Sequence, residues 1–590
     1  MERDGGGARE RKRHGRHYTP TPLARFLAGR VAARVPRGLS SIRVLDPACG
    51  EGELLFAVRA ALAARYPDTP VELIGYDVDS PALAVAGARA EASGVHIDRR
   101  EGNFLDEFAE LAGEQFDLVI ANPPYVRTQQ LGGAQAQALS RRFGLSGRID
   151  LTHPFVAALP PLIRPGGVLG LLCANRFLTT KAGANLRAVL STHLSPVELY
   201  DLGDTKLFEA AVLPAVTIAI RGATEEACRY VSVYEAETGR REEAPERGAG
   251  IGADAAGEAR PVRRDLFTAL AGSQDVLVRY RRRLFAVEIG TLDTGDAVAT
   301  DTRSGAGRSV WRMSRGGRDA WLVGVGERTW KTFGEVARIR VGIKTNADRV
   351  FISDHWPDPA PESELLHELI THHHMSPWRI TRARPTRVLY PYDLTRPHRV
   401  PVDLRRYPRA AAYLATHRET LLAREYLTAS GRQWFEHWVP QRPHLWGAPK
   451  VVFPDISDRP RFALDRSGAV VNGDCYWITL VDLAHAVGGG RAEDLAYLLM
   501  GVANSSLGLR FYDAVCGNRL YAGRRRWITQ YVSRFPLPDP ETRRAAEVVR
   551  AARGLVEDHD PDPLRWAELD ELVWASFFQA PPASGGSPPE

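Results

Sequence analysis

The amino-acid sequence predicts an α/β chain in which a doubly wound, mostly parallel sheet comes first and a mixed α/β region follows. Three observations carry this. Between about Ile42 and Arg221, short apolar runs alternate with helical stretches, the order expected of a parallel sheet crossed by helices. The apolar runs are nearly continuous and rich in Val, Ile and Leu, as strands are when both sheet faces are covered. From about Val310 the texture changes to one rich in Trp, Tyr and Arg, which marks a region of different construction. A chain of 590 residues is long enough for at least two folded units.

Along the chain, the expected strands are Ile42–Asp46 (IRVLD), Val71–Asp77 (VELIGYD), one just before Asn103, Phe116–Ala121 (FDLVIA) and Gly167–Cys173 (GVLGLLC). Glu53–Arg65, Pro81–Ala92 and Leu151–Ile163 carry apolar residues at helical spacing. Pro81 suits a first helical turn and Ser80 its N-cap. Pro214, inside the run Val212–Ile220, predicts a bulge or an edge strand. Residues 236–262 hold almost nothing to bury and read as a flexible linker or surface insertion.

Composition narrows the class. Hydrophobic residues at 44% and charged ones at 25% belong to globular protein. The balance of 77 Lys+Arg against 71 Asp+Glu leaves a charge of +6, which permits nucleic-acid binding only through a local basic face. No apolar run reaches 18 residues, so no membrane span is expected, and the basic start lacks the apolar stretch of a secretory signal. Five scattered cysteines without a CxxC pair argue against a disulfide framework and a structural zinc site. A bacterial cytoplasmic protein is the expectation.

Two motifs carry chemistry. Asp46-Pro47-Ala48-Cys49-Gly50-Glu51-Gly52 follows a strand and opens a helix, where glycines allow close approach of a ligand and free N–H groups face it. Asp77 ends the next strand, where an acid can accept from both hydroxyls of a ribose. At Asn103-Phe104, a polar side chain can bond an adenine edge while the ring stacks on it. The second motif is Asn122-Pro123-Pro124-Tyr125, directly after the strand Phe116–Ala121. The prolines stiffen the tip and remove two donors. The Asn122 side-chain carbonyl and the Pro123 main-chain carbonyl can then take both hydrogens of one exocyclic amino group. That draws the nitrogen lone pair out of conjugation and towards an electrophilic methyl, while Tyr125 can stack on the ring.

Together these residues resemble a class I S-adenosylmethionine-dependent methyltransferase, specifically the gamma-class, TaqI-like adenine-N6 DNA methyltransferases of restriction–modification systems. The resemblance rests on His17-Tyr18-Thr19-Pro20-Thr21-Pro22, Asp46–Gly52, Asp77, Asn103-Phe104 and Asn122–Tyr125. It continues through Asp150-Leu151 with Phe155 and Leu162–Gly167. It implies a Rossmann-like sheet and S-adenosylmethionine as cofactor. Tyr18, Thr19 and Pro20 would close over that cofactor, Asp46–Gly52 would wrap its methionine part, and Asp77 would hold its ribose. Asn103 stands where the family usually places Asp. Phe208 falls where the family keeps a second aromatic against the target base, although a core phenylalanine is an equal reading.

The same resemblance divides the chain into a basic tail (1–16), a catalytic domain (17–235), a linker or insertion (236–309), a target-recognition domain (310–545) and a C-terminal helix with a disordered tail (546–590). Val341–Thr345, Lys450–Arg461, Asn504–Leu507 and Phe535–Pro538 look like the TaqI-like specificity domain. An enzyme acting on a base must turn it out of the duplex, so a second surface has to hold the DNA. Lys344, Arg519, Arg524, Arg525 and Arg526 are the candidates, the last four interleaved with Tyr521 and Trp527. Arg379, Arg382, Arg384 and Arg387 beside Trp378 form another cluster. Double-stranded DNA is therefore the expected partner, with a separate nuclease or defence-complex subunit as a second one. The roughly 16 residues before the Thr-Pro motif leave no room for an N-terminal nuclease. Pro454-Asp455 is nuclease-like, but Asp465-Arg466 lacks the completing lysine, so no cleavage is expected. His372-His373-His374 reads as a polar loop, and no metal is expected. An RNA base or a protein glutamine is the alternative substrate, because each presents a planar amino nitrogen.

Overall fold

A computed structural model describes residues 19–126, 132–207, 213–222, 224, 226–236, 251–253, 259–294, 310–382, 385–516, 520, 523–558 and 563–578. The chain divides near Asp319 into two units. Tyr18, Phe208, Arg519, Tyr521 and Arg384 lie outside the described residues.

The first unit is built on one sheet of strands β1 (Ile42–Asp46), β2 (Val71–Asp77), β3 (Asp98–Glu101), β4 (Phe116–Ala121), β5 (Ile163–Ala174), β6 (Ser195–Asp201), β7 (Pro214–Ile220), β8 (Arg229–Glu235), β9 (Ile251–Ala253), β10 (Ala259–Arg263), β11 (Val276–Tyr280), β12 (Arg283–Asp293) and β13 (Arg312–Ser314). Their order is β3-β2-β1-β4-β5-β7-β6-β8-β12-β11-β10-β9, with β13 beside β12. The five strands β3-β2-β1-β4-β5 are parallel. Strand β7 runs antiparallel to both its neighbours.

Period-two alternation sends successive side chains of a strand to opposite faces. Val44, Leu118 and Ile120 join one core, with helices α1 (Thr21–Ala32) and α2 (Glu53–Arg65). Leu45, Val119 and Ala121 join the other, with Phe104 and Phe155. Every residue of β4 is buried, which explains its unbroken apolar sequence. Helix α1 lies so close to β5 that a Cβ at Gly170 would come within 2.5 Å of Val31 Cγ1. It is also clamped by charge. Arg30 and Arg34 both donate to Glu198 on β6, which is fully buried and also accepts from the Tyr200 hydroxyl. Burial works to raise the Glu198 carboxyl, but the Arg30, Tyr200 and Arg34 bonds hold it below the usual carboxylate range.

Several expectations need correction. Pro214 makes neither a bulge nor an edge: it is the first residue of β7, inside the sheet, and the register irregularity lies across Pro196 and Glu198. The third helix, α3 (Ser80–Ser93), starts one residue early, so Asp79 rather than Ser80 is its N-cap. The helix expected over Leu151–Ile163 spans only Thr152–Ala158, because Pro160 and Pro161 end it in a short 3-10 turn. Residues 259–294 are no linker. A short helix, β11 and β12 extend the sheet there, with Leu270, Leu277, Phe285 and Val287 buried.

The second unit starts at Ala320 rather than at 310. One four-stranded sheet joins Arg340–Val341, Cys475–Thr479, Lys450–Pro454 and Ala463–Asp465. Another joins Ile352–Ser353, Arg387–Leu389, Leu366–Ile370 and Val470–Val471. Helix Ala492–Asn504 is buried along most of its length, and Arg543–Glu557 and Pro563–Phe577 pack into the same core through Val548, Leu555, Val573 and Phe577. The C-terminal helices thus belong to this unit. Among the described residues, no helix is long and apolar enough to cross a membrane.

Candidate active site

The sheet order reverses between β1 and β4, and a crevice opens at the carboxyl ends of such strands. Both sequence motifs sit there. After β1, Asp46 is buried and accepts from the Ala48 N–H at 3.1 Å. Burial pushes its carboxyl up to about 8; the Ala48 bond opposes this and the Asp77 charge adds to it. Gly50 and Gly52 take φ of 52° and 79°, the left-handed region that glycine reaches without strain, and Gly52 is the N-cap of α2. Cys49 donates its N–H to Tyr76 at 2.8 Å and is buried.

Asp77 holds this turn from the tip of β2. Its carboxylate accepts from the Gly50 N–H at 2.7 Å and from the Asp79 N–H at 2.9 Å. Next to it Val78, 62% exposed, offers an apolar surface at the crevice that the motif reading missed. Its only sequence signal is an apolar residue just past the acid.

Asn103 caps the short helix Phe104–Glu107: its side chain accepts from Leu105 N and donates to Asp106. The stacking role expected of Phe104 does not hold. Its ring is 1% exposed, lies in the core and stacks on Phe155. What Phe104 leaves towards the crevice is its N–H, which has no partner among the described residues.

After β4, Pro123 is buried, while Asn122, Pro124 and Tyr125 are half-buried. The loop is fixed from behind: Leu151 N–H donates to Val126 O at 3.0 Å and the Thr152 hydroxyl to Pro124 O at 3.2 Å. Asn122 Nδ2 donates to Thr19 Oγ1 at 3.0 Å, and Asn122 Oδ1 accepts from the Tyr125 hydroxyl at 3.0 Å. Pro123 O has no hydrogen-bond partner among the described residues. Two oxygens, from Asn122 and Pro123, therefore stand in successive residues of a stiff loop. Tyr125 also reaches Leu172 O, and burial, with Cys173 and Asp150 nearby, pushes its hydroxyl well above the ordinary value, so it donates and does not ionise. Thr19 was expected over the cofactor; it also orients Asn122.

The arginine cluster of the second unit splits. Arg525 is buried, paired with Asp513 at 2.8 Å and bonded to Asp458 O, and Trp527 is fully buried. These two are structural because strand alternation turns Arg525 inward and Arg526 outward. Arg526 is half-exposed beside Asp455, and Arg524 and Lys344 are exposed. Arg379 and Arg382 are likewise engaged, with Asp558 O and with Glu368, Asp465 and Ser467. His372 pairs with Asp474 and His374 accepts from Thr371 N, so the histidine run is tied into its own turn.

Comparison with known proteins gives this geometry a lineage. Residues 89–208 match the family model of the Eco57I restriction-modification methylase, and residues 25–143 that of the methyltransferase small domain. The chain is 33% identical to the type II methyltransferase M.BanIII of Aneurinibacillus aneurinilyticus, over 96% of each chain. It is 25% identical to the type II methyltransferase M.PaeR7I of Pseudomonas aeruginosa, over 88% of this chain and 85% of that one. Its fold is similar to that of the type IIL restriction-modification enzyme MmeI, solved in complex with DNA, with a TM-score of 0.55 and 12% identity over 96% of this chain and 72% of that one. The glycine turn, the acid at β2, the exposed valine and the unpartnered Phe104 N–H fit an adenosyl cofactor. On this evidence the chain belongs to the type II methyltransferases, with S-adenosylmethionine as its methyl donor.

Proposed function

We propose that the protein is a site-specific DNA methyltransferase that modifies N6 of an adenine turned out of the duplex, within a restriction–modification or phage-defence system. The observation that supports this most is the pair of oxygens on Asn122 and Pro123 at the end of β4. An adenine amino group is a poor nucleophile because its lone pair is delocalised into the ring. Two acceptors that take its two hydrogens favour the tetrahedral form, whose lone pair is localised. The same oxygens stabilise the positive charge that develops on N6 until one of its protons leaves to solvent. Asn122 Oδ1 has two lone pairs, so it can accept from Tyr125 and from the base together.

The cofactor supplies an electrophilic methyl on a sulfonium. In this reading Asp77 binds its ribose, the Phe104 N–H and Val78 take its adenine ring, and the Asp46–Gly52 turn holds its amino-acid end. Arg524, Arg526 and Lys344 contribute phosphate contacts. The similarity to M.BanIII along the whole chain favours DNA over an RNA base or a protein glutamine.

The test is methylation of plasmid DNA followed by long-read detection of modified bases. Wild-type protein should place 6-methyladenine in one short motif, and Asn122→Ala should abolish turnover while keeping cofactor and DNA binding. Bound cofactor without any modified adenine would refute the proposal.

A further inference from the structure

The second unit carries an exposed aromatic and cationic patch with no evident role in its own packing. Tyr426 and Trp438 are 41% and 37% exposed, and their rings meet edge to face with centroids 4.8 Å apart. Large rings held together in water forgo burial that a stable fold would otherwise use. Asn346 donates from Nδ2 to the Tyr426 hydroxyl at 2.7 Å, which leaves its Oδ1 and a second N–H uncommitted. Arg432 lies over the Trp438 ring at 5.3 Å and donates from Nη1 to His437 O at 3.1 Å and Trp438 O at 2.6 Å, which leaves Nη2 as its outer donor. Lys344 exchanges both backbone hydrogen bonds with Val439, the residue after Trp438, each at 2.9 Å.

The mount of this patch is rigid. Arg424, buried beneath it, donates to Thr345 O at 2.7 Å, Glu436 O at 3.0 Å and Trp434 O at 2.7 Å. Its guanidinium thereby pins the segment bearing Lys344 and Asn346 to the segment bearing Trp438. Asn346 itself sits at φ 53°, which aims its amide at Tyr426. Lys344, Arg424 and Arg432 have no carboxylate partner among the described residues. The carboxylates of these segments are Asp348, which is exposed and accepts from the Thr345 hydroxyl, Glu436, which is buried and accepts from Gln433 N, and Glu425, which is exposed. Asp348, Glu425 and Glu436 offset Lys344, Arg424 and Arg432 in formal charge, and Lys344 is an exposed cation with no carboxylate partner among the described residues.

We infer that this patch reads the target duplex: Lys344 and Arg432 meet phosphates, Tyr426 and Trp438 pack on sugars and base edges, and the free end of the Asn346 amide bonds one base. An amide on a fixed backbone is the usual partner of an adenine edge, and an exposed lysine beside aromatics suits a polyanion with flat faces. The inference rests on the DNA-methyltransferase reading, which already gives Lys344 a phosphate contact, and adds Asn346, Tyr426, Arg432 and Trp438 as readers of the duplex.

The experiment uses the full chain with Tyr426→Ala/Trp438→Ala, Asn346→Ala and Lys344→Ala. Melting temperature and S-adenosylmethionine affinity should match wild type. The double variant should raise KM for a plasmid carrying the motif at least tenfold with kcat within threefold. Asn346→Ala should relax one position of the motif found in cells expressing it. Lys344→Ala, a fully solvent-facing change, should lower the salt slope of duplex binding by about one and serves as the control if the double variant melts early. Unchanged KM and an unchanged motif would overturn the inference, and would suit a patch that docks a protein subunit instead. If wild type binds cofactor yet methylates no DNA, the methylation reading fails by itself. Fluorescence anisotropy with a labelled duplex then decides the patch: weaker binding by the variants supports it, and equal binding overturns it.

Discussion

Asn122 donates its side-chain N–H to the hydroxyl of Thr19, 103 residues earlier in the chain, at 3.0 Å. A carboxamide has one oxygen and one nitrogen of nearly equal size, so only its partners decide which end faces the target base. Thr19 takes the nitrogen and thereby fixes the oxygen in the acceptor position. Thr19→Val, of the same shape without the hydroxyl, should lower kcat about tenfold, the loss of one hydrogen bond near 1.4 kcal/mol. Thr19→Ser should restore it. Equal single-turnover rates for valine and threonine would show that the Tyr125 hydroxyl on Oδ1 is guide enough for the amide.

Tyr125 places its hydroxyl on Asn122 Oδ1, and under the proposed function its ring stacks on the target base. Removing the hydroxyl alone should matter little, since Thr19 still orients the amide. Tyr125→Phe is expected to stay within about threefold of wild-type kcat/KM. Tyr125→Ala should lose about tenfold or more as the stacking partner disappears. The ordering of the two variants is the readout; a phenylalanine variant as poor as alanine would assign the whole effect to the hydroxyl.

Asp46 couples the cofactor pocket to pH. Its carboxyl stands at about 8 in the folded protein, well above the 3.8 of an exposed aspartate. The folded state therefore holds a proton that the unfolded chain releases, so this group's contribution to stability declines as pH rises from about 4 to about 8. A cationic ligand reverses the preference, because the sulfonium and ammonium of S-adenosylmethionine favour the carboxylate. Binding should release protons near pH 7 and tighten several-fold between pH 6.5 and 8.5. Calorimetric titration in two buffers of different ionisation enthalpy measures this, and Asp46→Asn should flatten the profile.

Glu198 ties the helix behind Thr19 to β6 through two arginines. Glu198→Gln leaves Arg30 without its carboxylate and Arg34 with Glu226 alone. Breaking such a buried pair costs about 3 kcal/mol. The urea midpoint should fall accordingly, and S-adenosylmethionine affinity should fall with it as the helix loosens. A midpoint within error of wild type would mean that packing of Leu27 and Val31 alone holds the helix.

What was legible in the sequence was local. Strands β1, β2 and β4 have the bounds expected, because each is an apolar run ended by a polar or proline-rich turn. Asn122–Tyr125 is likewise a contiguous signal. What depends on distant partners was hidden. No spacing rule links Thr19 to Asn122, and nothing in Asn103-Phe104 says that the ring turns towards Phe155 rather than towards the crevice. The arginines around Trp527 look alike in sequence, yet Asp513 draws Arg525 into the interior while Arg526 stays at the surface. Strands β11 and β12 were missed because they sit between segments of low apolar content and continue the sheet only by pairing with β8.

The clamp on α1 also sets an order of events during synthesis. Glu198 lies 168 residues after Arg30, so a chain emerging from the ribosome presents the Asn-Pro-Pro-Tyr loop long before the anchor of its N-terminal helix exists. Until β6 leaves the exit tunnel, the helix that follows Thr19 has only its apolar face to hold it. Nascent polypeptides shorter than that length should therefore expose the helix to protease, and it should become protected once Glu198 has emerged.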